Sequence, residues 1–191
     1  MQLLREAFYS AMSTPNNTTT AKILVIYSST DGHTKKICQR LQQSLAQPAT
    51  LVSIEDAQDQ DLRAYDKIVI GASIRYGKHH PDIARFINSN RPLLDQKPSA
   101  LFSVNLVARK PEKSQPDTNP YMRRFLKQIA WRPKLMAVFA GKIDYPSYGF
   151  FDRLIIQLIM LITKGPTDPR AVIEFTDWQA VDAFAQRINA M

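Results

Sequence analysis

Residues 22–28, KILVIYS, form an unbroken apolar run that ends at a hydroxyl- and glycine-containing turn, after which an amphipathic segment begins. A strand apolar on both faces has to be covered on both sides, and a parallel sheet between two layers of helices meets that need. The alternation continues along the chain. Segment 34–47 puts Ile37, Leu41 and Leu45 on one helical stripe, 50–54 reads as a short second strand, and 67–72 (KIVIGA) as a third. A fourth strand follows at 98–105 and a fifth at 135–141. Pro81 is placed to open a helix reaching about Asn90, with further helices expected over 121–130, from Phe150 to about Thr163, and over 177–190. The pattern predicts an α/β fold with a doubly wound five-stranded parallel sheet in the order 2-1-3-4-5. A Pro- and Lys-rich insert, 106–120, follows the fourth strand and is longer than the usual connection in such a unit.

With 191 residues, 45% of them hydrophobic, the chain can bury one substantial core. One domain is expected over 22–191, preceded by a polar, flexible extension over 1–21 that lacks a signal-peptide core. The lone cysteine, Cys38, excludes an internal disulfide and points to the cytoplasm; beside Ile37 and Leu41 it is expected to pack rather than react. The net charge is +8 and is uneven: residues 75–134 hold thirteen basic and four acidic residues. That balance excludes an acidic surface of the kind common on soluble electron carriers, and predicts attraction to anions.

The turn between the first strand and the first helix is Ser29, Thr30, Asp31, Gly32, His33 and Thr34. Backbone N–H groups at a helix start, aided by the helix dipole, bind phosphate, and the hydroxyls of Ser29, Thr30 and Thr34 can add hydrogen bonds. Neither GxGxxG nor GK[ST] is present, so a mononucleotide phosphate fits better than a dinucleotide or a Walker-type site. In a doubly wound sheet the loops after the third and fourth strands should flank the same ligand. Those loops are Ser73, Ile74, Arg75, Tyr76 and Gly77, and then Asn105, Leu106, Val107 and Ala108; Tyr76 is a candidate to stack on a flat ring.

The phosphate turn resembles that of flavodoxins. Residues 71–77 (GASIRYG), 103–113 (SVNLVARKPEK), 131–133 (WRP) and Asp152-Arg153 with the apolar run after it resemble the bacterial menaquinone-dependent protoporphyrinogen IX dehydrogenases, and the likeness covers about residues 22–190. It implies a flavodoxin-like fold and FMN held by the three loops. It also implies oxidation of protoporphyrinogen IX in haem synthesis, with electrons passed to menaquinone or ubiquinone at the cytoplasmic face of the inner membrane. No side chain stands out as catalytic, since flavin N5 takes the hydride and carries the chemistry. No metal site is expected.

The basic residues Arg109, Lys110, Lys113, Arg123 and Arg124 are candidates for the porphyrin propionates, against a plain solvated basic face. No recognition motif supports nucleic-acid binding. His79 and His80 are candidates to relay protons but are expected at the surface, as is His33. The helix FFDRLIIQLIMLI, 150–162, is too short to span a bilayer and either docks on a membrane or packs in the core. A homo-oligomer stays open. The competing functions are a flavodoxin-type electron carrier and an NAD(P)H:quinone reductase.

Overall fold

The computed structural model describes residues 21–191, so all but the last residue of the expected N-terminal extension lies outside the described residues. Along the chain come β1 (Ile23–Ser28), α1 (His33–Ser44), β2 (Ala49–Ser53), β3 (Lys67–Arg75), β4 (Lys78–His79), α2 (Pro81–Ser89) and α3 (Arg91–Gln96). They are followed by β5 (Ser99–Val104), α4 (Pro120–Leu126), β6 (Leu135–Phe139), β7 (Lys142–Asp144), α5 (Phe150–Ile162), β8 (Val172–Glu174) and α6 (Trp178–Asn189).

The main sheet is parallel in the order β2-β1-β3-β5-β6, and β4 adds antiparallel to the end of β3. Without β4 this is the expected five-strand order. The sequence pattern missed β4, α3 and the separate antiparallel pair β7-β8, because strands of two or three residues and a helix of six carry no measurable period. It also ended the third strand too early, since β3 runs on to Arg75. The helix expected over 121–130 closes at Leu126. Just beyond it, the Arg132 guanidinium donates to the Ile129 and Trp131 carbonyls and fixes an irregular path.

Alternate residues of the central strands supply two cores. Leu24, Ile26, Ile68, Ile70 and Leu101 pack on one face with Ile83, Phe86 and Ile87 of α2 and Met122 and Phe125 of α4. Ile23, Val25, Val69 and Phe102 pack on the other with Ile37, Cys38 and Leu41 of α1 and Val181, Phe184 and Ile188 of α6. Cys38 is fully buried, and burial pushes its thiol pKa up, as suits a packing residue. Lys67, though buried, gives its ammonium protons to the Ile188 and Asn189 carbonyls at 2.9 and 3.0 Å, which places the charge at the negative end of α6.

The insert is ordered rather than irregular. Two 3-10 turns, Leu106–Arg109 and Pro111–Lys113, are pinned by a pair of buried asparagines. Asn105 Oδ1 accepts from the Ala108 N–H at 3.1 Å and from Asn119 Nδ2 at 3.2 Å. Asn119 also donates to the Lys113 carbonyl and caps α4 through the Tyr121 and Met122 N–H groups.

Candidate functional site

Three chain segments meet beyond the carboxyl ends of β1, β3 and β5, the place a doubly wound sheet reserves for its ligand. At the first, Gly32 turns the chain into α1 with φ 76°, a left-handed geometry that glycine takes without strain. Gly32 at the N-cap has no side chain to cap α1, and Ser29 Oγ reaches one first-turn donor, accepting from the Lys35 N–H at 3.4 Å. In contrast, α2, α4 and α6 are capped by His80, Asn119 and Asp177. The remaining donors of the first turn of α1 are thus left for a ligand, and the helix dipole adds positive potential at the same point. Ser29, Thr30 and Thr34 line the cavity in front of it. These are the groups that a phosphate ester requires.

The second segment is the β3–β4 hairpin. Tyr76 and Gly77 both have positive φ, 49° and 76°, as a two-residue hairpin turn of the right-handed twist demands. For tyrosine this geometry costs on the order of 1 kcal/mol. Its hydroxyl donates to Asp152 on α5, and its ring lies 5.1 Å from the Arg75 guanidinium. Arg75 in turn donates to Asp31 at 2.8 Å and to Asp152, tying phosphate turn, hairpin and α5 together. Burial disfavours the Arg75 charge, but Asp31 and Asp152 outweigh it and hold its pKa above the ordinary value.

The third segment starts at Asn105. With the first two it encloses a cavity of about 160 Å3. Of the residues expected to hold the cofactor, Ser29, Thr30, Asp31, His33, Thr34, Ser73, Ile74, Arg75, Tyr76, Gly77, Asn105, Leu106 and Val107 line this cavity. Gly32 shapes the turn from behind, and Ala108 is buried on the other side of the insert. Sequence reasoning missed the far wall: Lys142 and Asp144 of β7, Ser147 and Tyr148 after it, and Ile156, Ile159 and Met160 on the inner stripe of α5. The switch-point rule, carried one strand further to the loop after β6, would have found Tyr148.

Among the basic candidates for propionate contact, Arg109 lines the cavity with its guanidinium already engaged. It donates to the Leu106 carbonyl at 2.8 Å and to the carbonyl and hydroxyl of Thr163, clipping the insert to the end of α5. Burial lowers its pKa. Lys110, Lys113 and Arg123 line neither this cavity nor the adjoining groove, whereas Arg124 lines the groove.

Two histidines depart from the expected surface placement. The ring of His79 lies 4.4 Å from that of Phe125, tilted by 44°, and hydrogen-bonds Ser103 at 2.9 Å, and burial pushes its pKa down to about 4. His33 hydrogen-bonds Thr176 at 2.7 Å, and its pKa is lowered mainly by burial. Sequence gave no warning, because the covering groups are supplied from α4 and from the chain after β8. His80 is exposed as expected.

Helix α5 does not choose between the two expected roles. Met160 is fully buried, with Ile156 and Ile159 turned to the cavity, while Phe150, Phe151, Leu154, Ile155, Leu158, Leu161 and Ile162 are exposed, Phe151 by 77%. No helix among the described residues is long and apolar enough to cross a membrane.

Fold and site together define a flavodoxin-like α/β protein whose first helix starts at a cavity at the switch point. The family described as Flavodoxin domain matches residues 24–170. The chain is 44% identical over 174 residues to a protoporphyrinogen IX dehydrogenase (quinone) of Leishmania major, covering 89% of this chain and 75% of that protein. It is 42% identical over 170 residues to the protein of the same name from Escherichia coli K12, covering 87% and 94%. The solved structure of oxidised Flavodoxin 1 from Bacillus cereus superposes with a TM-score of 0.50 at 15% identity, over 88% of this chain and 97% of that one, which speaks for the fold alone. The chain belongs to the flavodoxin domain family and, within it, groups with the quinone-linked protoporphyrinogen IX dehydrogenases. Its cofactor class is a flavin, which the uncapped α1 terminus and the flanking loops suit.

Proposed function

We propose that this protein uses FMN to oxidise protoporphyrinogen IX to protoporphyrin IX and passes the electrons to a membrane quinone, menaquinone or ubiquinone. The observation that carries this reading is the uncapped start of α1 facing a cavity walled by the two other cofactor loops, in a chain 42% identical to a named dehydrogenase across nearly its whole length. When bound, FMN supplies the two-electron acceptor.

The protein's own residues do the rest. The first turn of α1 with Ser29, Thr30 and Thr34 takes the phosphate, which selects a mononucleotide. Backbone groups of 73–77 and 105–107 fix the ring edge, and the apolar inner stripe of α5 with Tyr148 keeps water from the far side. Removing six electrons from the porphyrinogen takes several rounds, so the quinone has to be met between them. The exposed apolar face of α5, on a protein of net charge +8, is suited to rest on an anionic bilayer at the cytoplasmic face of the inner membrane, where quinone resides.

The test is anaerobic. Protoporphyrinogen IX is added to the FMN-loaded protein, flavin bleaching and porphyrin fluorescence are followed together, and menaquinone is then supplied. Bleaching on porphyrinogen and recovery on quinone are expected. A flavin that stays oxidised with porphyrinogen refutes the reading and leaves an electron carrier; rapid bleaching by NAD(P)H instead leaves a nicotinamide-dependent quinone reductase.

A further inference from the structure

Beside the cavity, on the opposite side of the Tyr76-Gly77 turn from α5, lies a second depression of about 380 Å3 between the β3–β4 hairpin and α4. It shares Thr30, Ser73, Arg75, Gly77 and Tyr121 with the cavity, so a ligand in one abuts a ligand in the other. Its chemistry differs from the cavity's. Arg75, Lys78 and Arg124 line it, and no aspartate or glutamate does. Arg75 is neutralised by Asp31 and Asp152, but neither Lys78 nor Arg124 has an ion-pair partner among the described residues. Both side chains are exposed, one on each rim of the groove.

The floor is largely aromatic. Phe125 and the His79 ring, 4.4 Å apart and tilted by 44°, form one part, and Tyr121 lies beside Gly77. His79 is neutral at ordinary pH because burial lowers its pKa, so it adds no charge to this floor. Two cations on the rim, an apolar floor between them and direct continuity with the flavin cavity fit a large apolar dianion whose carboxylates are carried at one edge.

We propose that the groove between the β3–β4 hairpin and α4 binds the propionate edge of the porphyrinogen, with Lys78 and Arg124 each taking a carboxylate. This rests on the function proposed above and locates its substrate. It moves carboxylate recognition from the insert, whose Arg109 is used structurally, to a hairpin lysine and the exposed side of α4.

The experiment compares K78A/R124A with wild type and with K127A/K134A, which removes two exposed charges outside the groove. All are loaded with FMN and assayed for kcat and KM on protoporphyrinogen IX and on its dimethyl ester, which lacks the carboxylate charges. Protoporphyrin IX binding is measured in parallel from its Soret shift. Loss of two charge-assisted contacts is expected to raise KM and the porphyrin Kd for the diacid by about tenfold or more, with kcat nearly unchanged. Ester values should match wild type, and K127A/K134A should behave as wild type on both.

An unchanged diacid KM in K78A/R124A overturns the site. Equal losses for diacid and ester also overturn it, since they mean lost packing rather than carboxylate recognition. So does an equal effect in K127A/K134A, which means a long-range field. If the wild type holds FMN yet neither binds nor oxidises either porphyrin, the site falls together with the function it rests on, a result distinct from the other three.

Discussion

Taking the protein from about pH 7 to about pH 5 is expected to destabilise it through His79 alone by an amount large enough to isolate. In the fold its imidazole sits on Phe125 with one nitrogen bonded to Ser103, and burial lowers its pKa from 6.5 to about 4. The unfolded chain therefore takes up a proton as pH falls through about 6.5, while the folded protein does not until about 4. The stabilisation is complete above the unfolded pKa and is lost downward across that window. A shift of this size corresponds to on the order of 3 kcal/mol when fully developed, and to about 2 kcal/mol by pH 5. For a domain of this length that equals a fall of about 4–8 °C in Tm.

Carboxylates and His33, whose pKa is also lowered, titrate in the same range, so the useful quantity is a difference. His79→Gln keeps a polar group within reach of Ser103 and does not titrate. Its absolute stability is expected to fall because the ring contact with Phe125 is lost, but its loss between about pH 7 and about pH 5 should be smaller than wild type's by about 2 kcal/mol. Urea unfolding of the FMN-free proteins at several pH values measures both. Identical pH slopes, or an NMR titration placing His79 near 6.5, would refute the reasoning and return the residue to the surface role its sequence position suggests. The same result bears on mechanism, since an imidazole neutral down to about pH 4 makes a poor shuttle for protons at neutral pH.

Other expected outcomes follow from close contacts. In Gly71→Ala the new methyl would lie 2.3 Å from Phe102 Cζ, in a ring held by Phe139 and Phe184, so a loss of about 1–3 kcal/mol is expected in urea unfolding; full wild-type stability would show that the ring can yield. Arg109→Ala leaves the Leu106 and Thr163 carbonyls without their donor and is expected to cost about 2 kcal/mol with KM for porphyrinogen unchanged; a raised KM at unchanged stability would reinstate Arg109 as a substrate ligand. Leu158→Glu with Leu161→Glu changes the exposed face of α5 and should abolish co-sedimentation with anionic vesicles while leaving Tm within about 2 °C, as surface changes usually do; retained vesicle binding would refute the membrane contact.

What could be read from the sequence was what local pattern determines. The run 22–28, buried on both faces, and the glycine-bearing turn after it specified strand, turn and helix start before any tertiary contact was known, and all three expected loops border the one cavity. The failures share a cause. The burial of His79 depends on Phe125, 46 residues away, and the engagement of Arg109 depends on Thr163, 54 residues away; no window of sequence contains either pair. The insert shows no periodic pattern because its order comes from two asparagine side chains fourteen residues apart rather than from a backbone period. A charge count over 75–134 likewise treated all basic residues as equivalent. In the fold Arg75 is neutralised, Arg109 and Arg132 are spent on carbonyls, and Lys78 and Arg124 remain facing one carboxylate-free groove. Selecting among cations is thus a property of tertiary pairing, and it is why recognition is sought at the hairpin and α4 instead of at the most basic stretch of the sequence.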